Sequence, residues 1–155
     1  MNYDLLYNIM LQSNINDIKA LSLISIDAQN INKTPQFWHD KMLNDDIPIV
    51  STIYNKKEYI KLTKIKNKVK EIIDNYKLGY ITSMNINTYP LPQQFDFILT
   101  KQPRMLSISK TNHGYVFEAL FKDKKYKKNV NYDQLLNYLV GFYHSIYSRL
   151  NSSWR

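Results

Sequence analysis

Three histidines (His39, His113 and His144), the adjacent aspartates Asp45 and Asp46, and two groups of lysines are the side chains whose types could do chemistry. Each histidine stands alone. None has the histidine one helical turn away, or the cysteine neighbour, that a local metal site needs. The chain has no cysteine. That removes a thiolate nucleophile, Cys-ligated zinc and a disulfide framework, and it fits a reducing compartment. Asp45 and Asp46 diverge on a helix or turn, so they suit a helix end or a loop rather than a shared substrate. Glu58, Glu71 and Asp74 fall at lysine spacing on a helical stretch and are expected to form surface ion pairs. There is no Gly-x-Ser-x-Gly elbow and no His-Glu-x-x-His. With three glycines in the whole chain, a phosphate-cradling loop is hard to build. These patterns argue against an enzyme, and they call for no metal and no cofactor.

The lysines carry a second kind of chemistry, attraction of anions. The net charge of +8 is unevenly placed. Residues 1–50 hold three lysines against six aspartates, a net of −3, and residues 51–155 hold 18 basic against 7 acidic groups, a net of +11. Such asymmetry marks parts with different partners. Lys57, Lys61, Lys64, Lys68 and Lys70 lie mostly on the side of a helix away from its apolar stripe. Lys124, Lys125, Lys127 and Lys128 belong to the run KDKKYKK. A phosphate-gripping surface would use lysines in this way. A solvated helix face, and a loop whose lysines guard a sheet edge, would use them too.

The elements that must position these groups follow from periodicity. Leu5, Leu6, Ile9 and Met10 predict a first helix with one buried face. Ser13 to Asp17 interrupts the period, and Asn16 or Asp17 can cap a second helix whose apolar face is Ile18, Leu21, Ile24 and Ala28, with Leu23 alongside. Thr34-Pro35 opens a third helix carrying Phe37, Trp38, Met42 and Leu43, which stops at Asn44-Asp45-Asp46. Residues 56–78 predict the longest helix, with Tyr59, Leu62, Ile65, Val69, Ile72, Ile73 and Tyr76 as its stripe and Gly79 as its cap.

Residues 80–92 are rich in Thr, Ser, Asn and Pro and predict an extended link. Three strand-like runs follow: Phe95 to Leu99, Met105 to Ile108, and Tyr115 to Phe121. Thr111-Asn112-His113-Gly114 predicts the hairpin between the last two. A closing helix carries Leu135, Leu136, Leu139, Phe142, Tyr143 and Ile146, with Leu150 and Trp154 as an extension. The expected fold class is α+β: an N-terminal three-helix unit over 1–50, then a basic unit over 51–155 made of a long helix, a small antiparallel sheet and a C-terminal helix. No apolar run reaches the roughly 18 residues of a membrane span. The N-terminus lacks the pattern of a signal peptide, so a cytoplasmic or nuclear location is expected.

Within the first unit, Leu5-Leu6, the Asp17-Ile18-x-x-Leu21 segment and Phe37-Trp38 opening the third helix together resemble an F-box, in the F-box-like form common in large cytoplasmic DNA viruses. The resemblance covers the first third of the chain. Asn2-Tyr3-Asp4 stands where a typical F-box has Leu-Pro and an acidic residue. The resemblance implies a non-catalytic adaptor that binds a Skp-family subunit of a cullin–RING ubiquitin ligase, in a host cell if the chain is viral. Leu5, Leu6, Ile9, Ile18, Leu21, Ile24 and Trp38 match the family's hydrophobic positions, and residues 51–155 would recruit the target protein. Burial of Phe37 and Trp38 in the unit's own core is compatible with this, because a unit this short leaves apolar surface for a partner. A basic nucleic-acid-binding protein and a virion structural protein are the alternatives.

Overall fold

The computed structural model describes residues 2–75, 80–81, 105–120, 125–145 and 147. They form a mixed α+β structure with helices at both ends and a small antiparallel sheet between them. The chain divides into two compact units, Met1–Thr63 and Lys64–Arg155. Residues 51–63, assigned by charge to the second part, fall in the first compact unit.

The first unit begins with α1 (Tyr3–Gln12), α2 (Ile15–Ile24), α3 (Ile26–Asn32) and α4 (Pro35–Asn44). The second expected helix is therefore two. Ser25 divides it: its extended backbone ends α2, its N–H bonds to Leu21 O, and its hydroxyl accepts the Ala28 N–H at 3.2 Å to cap α3. On one straight helix Ile18 and Ile31 are thirteen residues apart and would face nearly opposite ways. The break lets both reach the core, where each is fully buried. The α2 cap is Asn14, whose Oδ1 accepts the Asp17 N–H at 2.8 Å, rather than Asn16 or Asp17. Thr34 and Pro35 open α4 as expected, although the Thr34 hydroxyl donates back to Ile31 O instead of capping.

The core of this unit holds Leu6, Met10, Ile18, Ala28, Ile31, Phe37, Trp38, Met42 and Ile47. Its aromatic part is a chain of tilted and edge contacts, Tyr7–Phe37, Phe37–Trp38 and Trp38–Tyr59, with centroids 5.0–5.5 Å apart. The Trp38 indole N–H finds its partner in Asn32 O at 2.7 Å, as a buried tryptophan requires. After α4, Asp46 takes a left-handed conformation (φ 53°). The Ile47 and Asp46 N–H groups then bond back to Met42 O and Leu43 O, which satisfies the last carbonyls of the helix.

Helix α5 (Lys56–Asn75) is one continuous element of 20 residues. Asn55 Oδ1 accepts the Glu58 N–H at 2.8 Å and starts it. Tyr59, Leu62, Ile65, Val69 and Ile73 are buried along one side, as the stripe predicts. Tyr76 and Gly79 lie outside the described residues.

In the second unit, β2 (Met105–Thr111), β3 (Gly114–Leu120) and β4 (Lys125–Val130) form an antiparallel meander, and a two-residue strand β1 (Tyr80–Ile81) pairs with β2. Tyr80 and Ile81, read from sequence as the start of a link, are thus a short strand. The expected strand over 95–99 and the Tyr89–Pro92 link lie outside the described residues. The KYKKNV segment is a strand and not the expected loop. The reason is its period of two: Val130 is buried, while Lys127 and Asn129 are exposed. Lys127 sits directly across from Glu118 and pairs with it at 3.1 Å, a cross-strand ion pair of the kind that supports an antiparallel ladder.

Asn112 and His113 make the two-residue turn between β2 and β3, followed by Gly114 at φ 146°. A Cβ on Gly114 would lie 2.8 Å from Val130 O, so strain and a backbone clash coincide. Gly114→Ala is expected to destabilise the second unit by about 2 kcal/mol, read as faster hydrogen exchange in the amides of β2, β3 and β4 and unchanged exchange in α1–α4.

Helix α6 (Tyr132–Ser145) starts from a reciprocal cap. The Gln134 N–H donates to Asn131 Oδ1 at 2.8 Å, and the Asn131 N–H donates to Gln134 Oε1 at 3.0 Å. Such a box fills two of the donors that a helix start leaves open. Leu135, Leu136, Leu139 and Phe142 are buried as expected, and Tyr138, Val140 and Gly141 are buried too. The helix is therefore covered on more than one face. Tyr143 is half-buried, and Ile146, Leu150 and Trp154 lie outside the described residues.

Candidate interaction surface

Two parallel ridges run along α1. Leu6 and Met10, one turn apart, face the core. Leu5 and Ile9, also one turn apart, are rotated about 100° from them and stay 55% and 39% exposed. The most exposed large aliphatics lie at the joint made by Ser25: Leu23 at 75%, Ile24 at 84% and Ile26 at 75%. The same extended residue that lets Ile18 and Ile31 turn inward leaves Ile24 and Ile26 on either side of it in solvent. The first unit thus has a filled core and a separate set of aliphatic side chains without cover.

This arrangement divides the seven residues expected from sequence to meet an adaptor. Leu6, Ile18 and Trp38 belong to the core and are not available to a partner. Leu5, Ile9 and Ile24 are exposed, and Leu21 is half-buried. Leu23 and Ile26 join the exposed group. Spacing alone could not sort them, because adjacent apolar residues such as Leu5 and Leu6 score equally until a packing partner selects one.

Polar groups of the first unit are committed to holding it together. Lys41, 2% exposed, donates to Leu11 O at 2.6 Å and meets Asp45 Oδ2 at 2.9 Å. The Tyr59 hydroxyl donates to the same carboxylate oxygen at 2.5 Å. One buried ammonium, one carboxylate and one phenol therefore tie the end of α1, the end of α4 and the start of α5. Burial alone would raise the Asp45 carboxyl; hydrogen bonds from Tyr59, Lys41 and Asn44, together with the Lys41 charge, outweigh it and hold the group below the ordinary carboxylate range. The Tyr59 phenol is pushed up, first by burial and then by its bond to Asp45. A second phenol–carboxylate bond joins Tyr7 to Asp40 at 2.5 Å, and burial followed by Asp40 raises Tyr7 as well. Raised phenols keep their protons and donate, the opposite of what a tyrosine nucleophile or base needs.

Glu58 also departs from expectation. It is buried, and its carboxylate accepts from the Ser51 hydroxyl at 3.1 Å. Lys68 and Glu71 do form a surface pair, at 3.6 Å.

Of the lysines proposed for nucleic acid, Lys57, Lys64 and Lys127 are exposed, and Lys61, Lys68 and Lys128 are half-buried; Lys70, on the same helix, is exposed. Lys125 lies in β4, and Lys124 is outside the described residues. Lys57, Lys61, Lys64 and Lys68 share one side of α5; Lys127 is committed to Glu118.

Among the described residues no three His, Cys, Asp or Glu side chains gather in a way that could hold a metal ion. His39 packs edge-on against Tyr54 at 4.7 Å, and His113 is in the hairpin turn. A surface hollow of about 370 Å³ beside that turn is lined by Thr111, His113, Tyr115, Asn129, Val130 and Asn131. Its Asn131 is already engaged in capping α6. No described helix is long and apolar enough to cross a membrane. Comparison with known proteins finds no protein family, no curated protein and no solved structure that matches this chain.

Proposed function

We propose that the first unit is an F-box-like docking module that binds a Skp-family adaptor of a cullin–RING ubiquitin ligase through Leu5, Ile9, Leu23, Ile24 and Ile26. The observation that carries this reading is the set of uncovered aliphatics on a unit whose core is already filled by Leu6, Met10, Ile18, Ile31, Phe37 and Trp38. Large aliphatics left exposed on a small unit are what a protein–protein interaction surface would use. Each large apolar side chain that becomes fully buried contributes roughly 1.5–3 kcal/mol. The protein performs no bond chemistry in this role. It holds a target, recruited by the second unit, at high local concentration beside the ligase.

The test is co-elution of the full chain with a purified Skp-family adaptor on size exclusion. Wild type is expected to co-elute, and Ile24→Asp is expected to elute alone while keeping its helical circular dichroism. An acidic residue at position 6 would not serve, because Leu6 is buried and its charge would disrupt the core. Failure of wild type to co-elute would overturn the proposal.

A further inference from the structure

The joint between α2 and α3 lies between two opposite charges. Lys19 stands one turn before Leu23 on the same side of α2, and Asp27 follows Ile26 in the first turn of α3. Both are exposed, and neither has an ion-pair partner among the described residues. Between them are the uncovered Leu23, Ile24 and Ile26, and Ala20, also exposed, one turn before Ile24. Residues 20–26 carry no charge. The other charged residue of α2, Asp17, stands two turns before Ile24, beyond the apolar stretch.

This order of positive, apolar and negative is complementary to itself when two copies run antiparallel. In a pair centred on Leu23, position 19 of one copy meets position 27 of the other, and position 20 meets position 26. Leu23 then meets Leu23, Ile26 fills the space over the small Ala20 side chain, and Lys19 meets Asp27. Asp17 falls opposite Gln29, so no two like charges are brought together. A two-fold contact uses one patch on both copies, so each of these unlike matches occurs twice.

We infer that in the free protein this ridge is covered by the same ridge of a second copy, in a weak two-fold dimer. The aliphatic centre supplies the attraction. The charged ends fix its direction, because charges at a rim set register more than they add affinity. The weakness follows from size, since a few aliphatic side chains from each copy fall short of the roughly 1,200 Å² that a specific, stable interface buries. The dimer itself does not depend on adaptor docking, but its consequence rests on that reading. The contact covers Leu23, Ile24 and Ile26, so the adaptor and the second copy compete for one surface, and dilution or excess adaptor frees it by mass action.

Sedimentation velocity of the full chain without adaptor, over about 10 to 500 µM, reads the dimer directly. Wild type is expected to move from monomer toward dimer across this range. Lys19→Asp and Asp27→Lys are each expected to weaken association at least about fivefold, because two pairs of like charges then face each other. The double exchange, Lys19→Asp with Asp27→Lys, is expected to restore it, a rescue that loss of fold or of solubility would not give. Ile24→Asp is expected to stay monomeric with unchanged circular dichroism, and Leu5→Asp, on the α1 ridge, to dimerise like wild type. Wild type that stays monomeric throughout would overturn the inference, as would a double exchange no better than the single ones. Titrating the same samples with purified Skp-family adaptor separates the two readings. A chain that dimerises and binds no adaptor contradicts docking alone, and a chain that binds adaptor but never dimerises contradicts the dimer alone.

Discussion

Asp45→Ala should destabilise the first unit by about 3 kcal/mol, at the low end of the cost of breaking a buried ion pair. The low end applies because the Asp45 side chain keeps 27% of its exposure while that of Lys41 keeps 3%. Removing the carboxylate leaves the Lys41 ammonium buried against Leu11 O without its countercharge and strands the Tyr59 hydroxyl. Asp45→Asn should cost less, since an amide oxygen can still accept from Tyr59. Lys41→Met together with Asp45→Asn should recover part of the loss, because a buried pair replaced by groups of similar volume is often near neutral. Urea unfolding followed by far-ultraviolet circular dichroism reads the effect, and with a slope of about 1.5 kcal/mol per molar the midpoint falls by about 2 M. The same pair fixes an acid limit. The folded Asp45 carboxyl lies below its ordinary value, so its stabilisation is fully present above about pH 4, the unfolded value, and is lost as pH falls through the lower folded value. Asp45→Asn should lack this part of the acid dependence.

Trp38→Ala should cost about 4 kcal/mol, enough to leave the first unit largely unfolded if its core supplies the roughly 3–5 kcal/mol usual for a unit of this size. Trp38 is 1% exposed, contacts the Phe37 and Tyr59 rings, and spends its N–H on Asn32 O. Trp38→Phe should cost less, because a ring still fills most of the space, although Asn32 O loses its donor. Hydrogen exchange in α1, α3 and α4 separates the two variants: near-complete loss of protection in the first and partial loss in the second.

Much of the fold could be read from particular residues. Thr34-Pro35 marks the start of α4 because proline's fixed φ suits that position. Gly114 marks the hairpin because the turn needs a positive φ. The α5 stripe is long enough for its period to be unambiguous. The break at Ser25 was hidden because Ile18, Leu21 and Ala28 keep a helical period across it, and only the burial of Ile31 demands the turn. Strand β4 was hidden by its lysines, whose low strand propensity is overridden by pairing with β3.

Burial of Lys41 was legible in principle. It stands four residues after Phe37 and three after Trp38, so a helix that buries the aromatic pair buries position 41, and Asp45 one turn on supplies its countercharge. The proposed docking surface was the least legible part. Leu5 and Leu6, or Ile18 and Ile24, are chemically alike in sequence, and three-dimensional packing alone decides which face is free.

Calorimetric titration of a purified Skp-family adaptor into the full chain tests the central claim most directly. Association with Kd of about 10 µM or tighter, about −7 kcal/mol, is predicted for wild type. Leu5→Asp and Ile24→Asp are each predicted to weaken it at least a hundredfold with circular dichroism unchanged, and Lys33→Gln, exposed on the same unit, to leave it unchanged. Absence of heat for wild type at tens of micromolar, or wild-type affinity in both aspartate variants, would contradict docking through this surface.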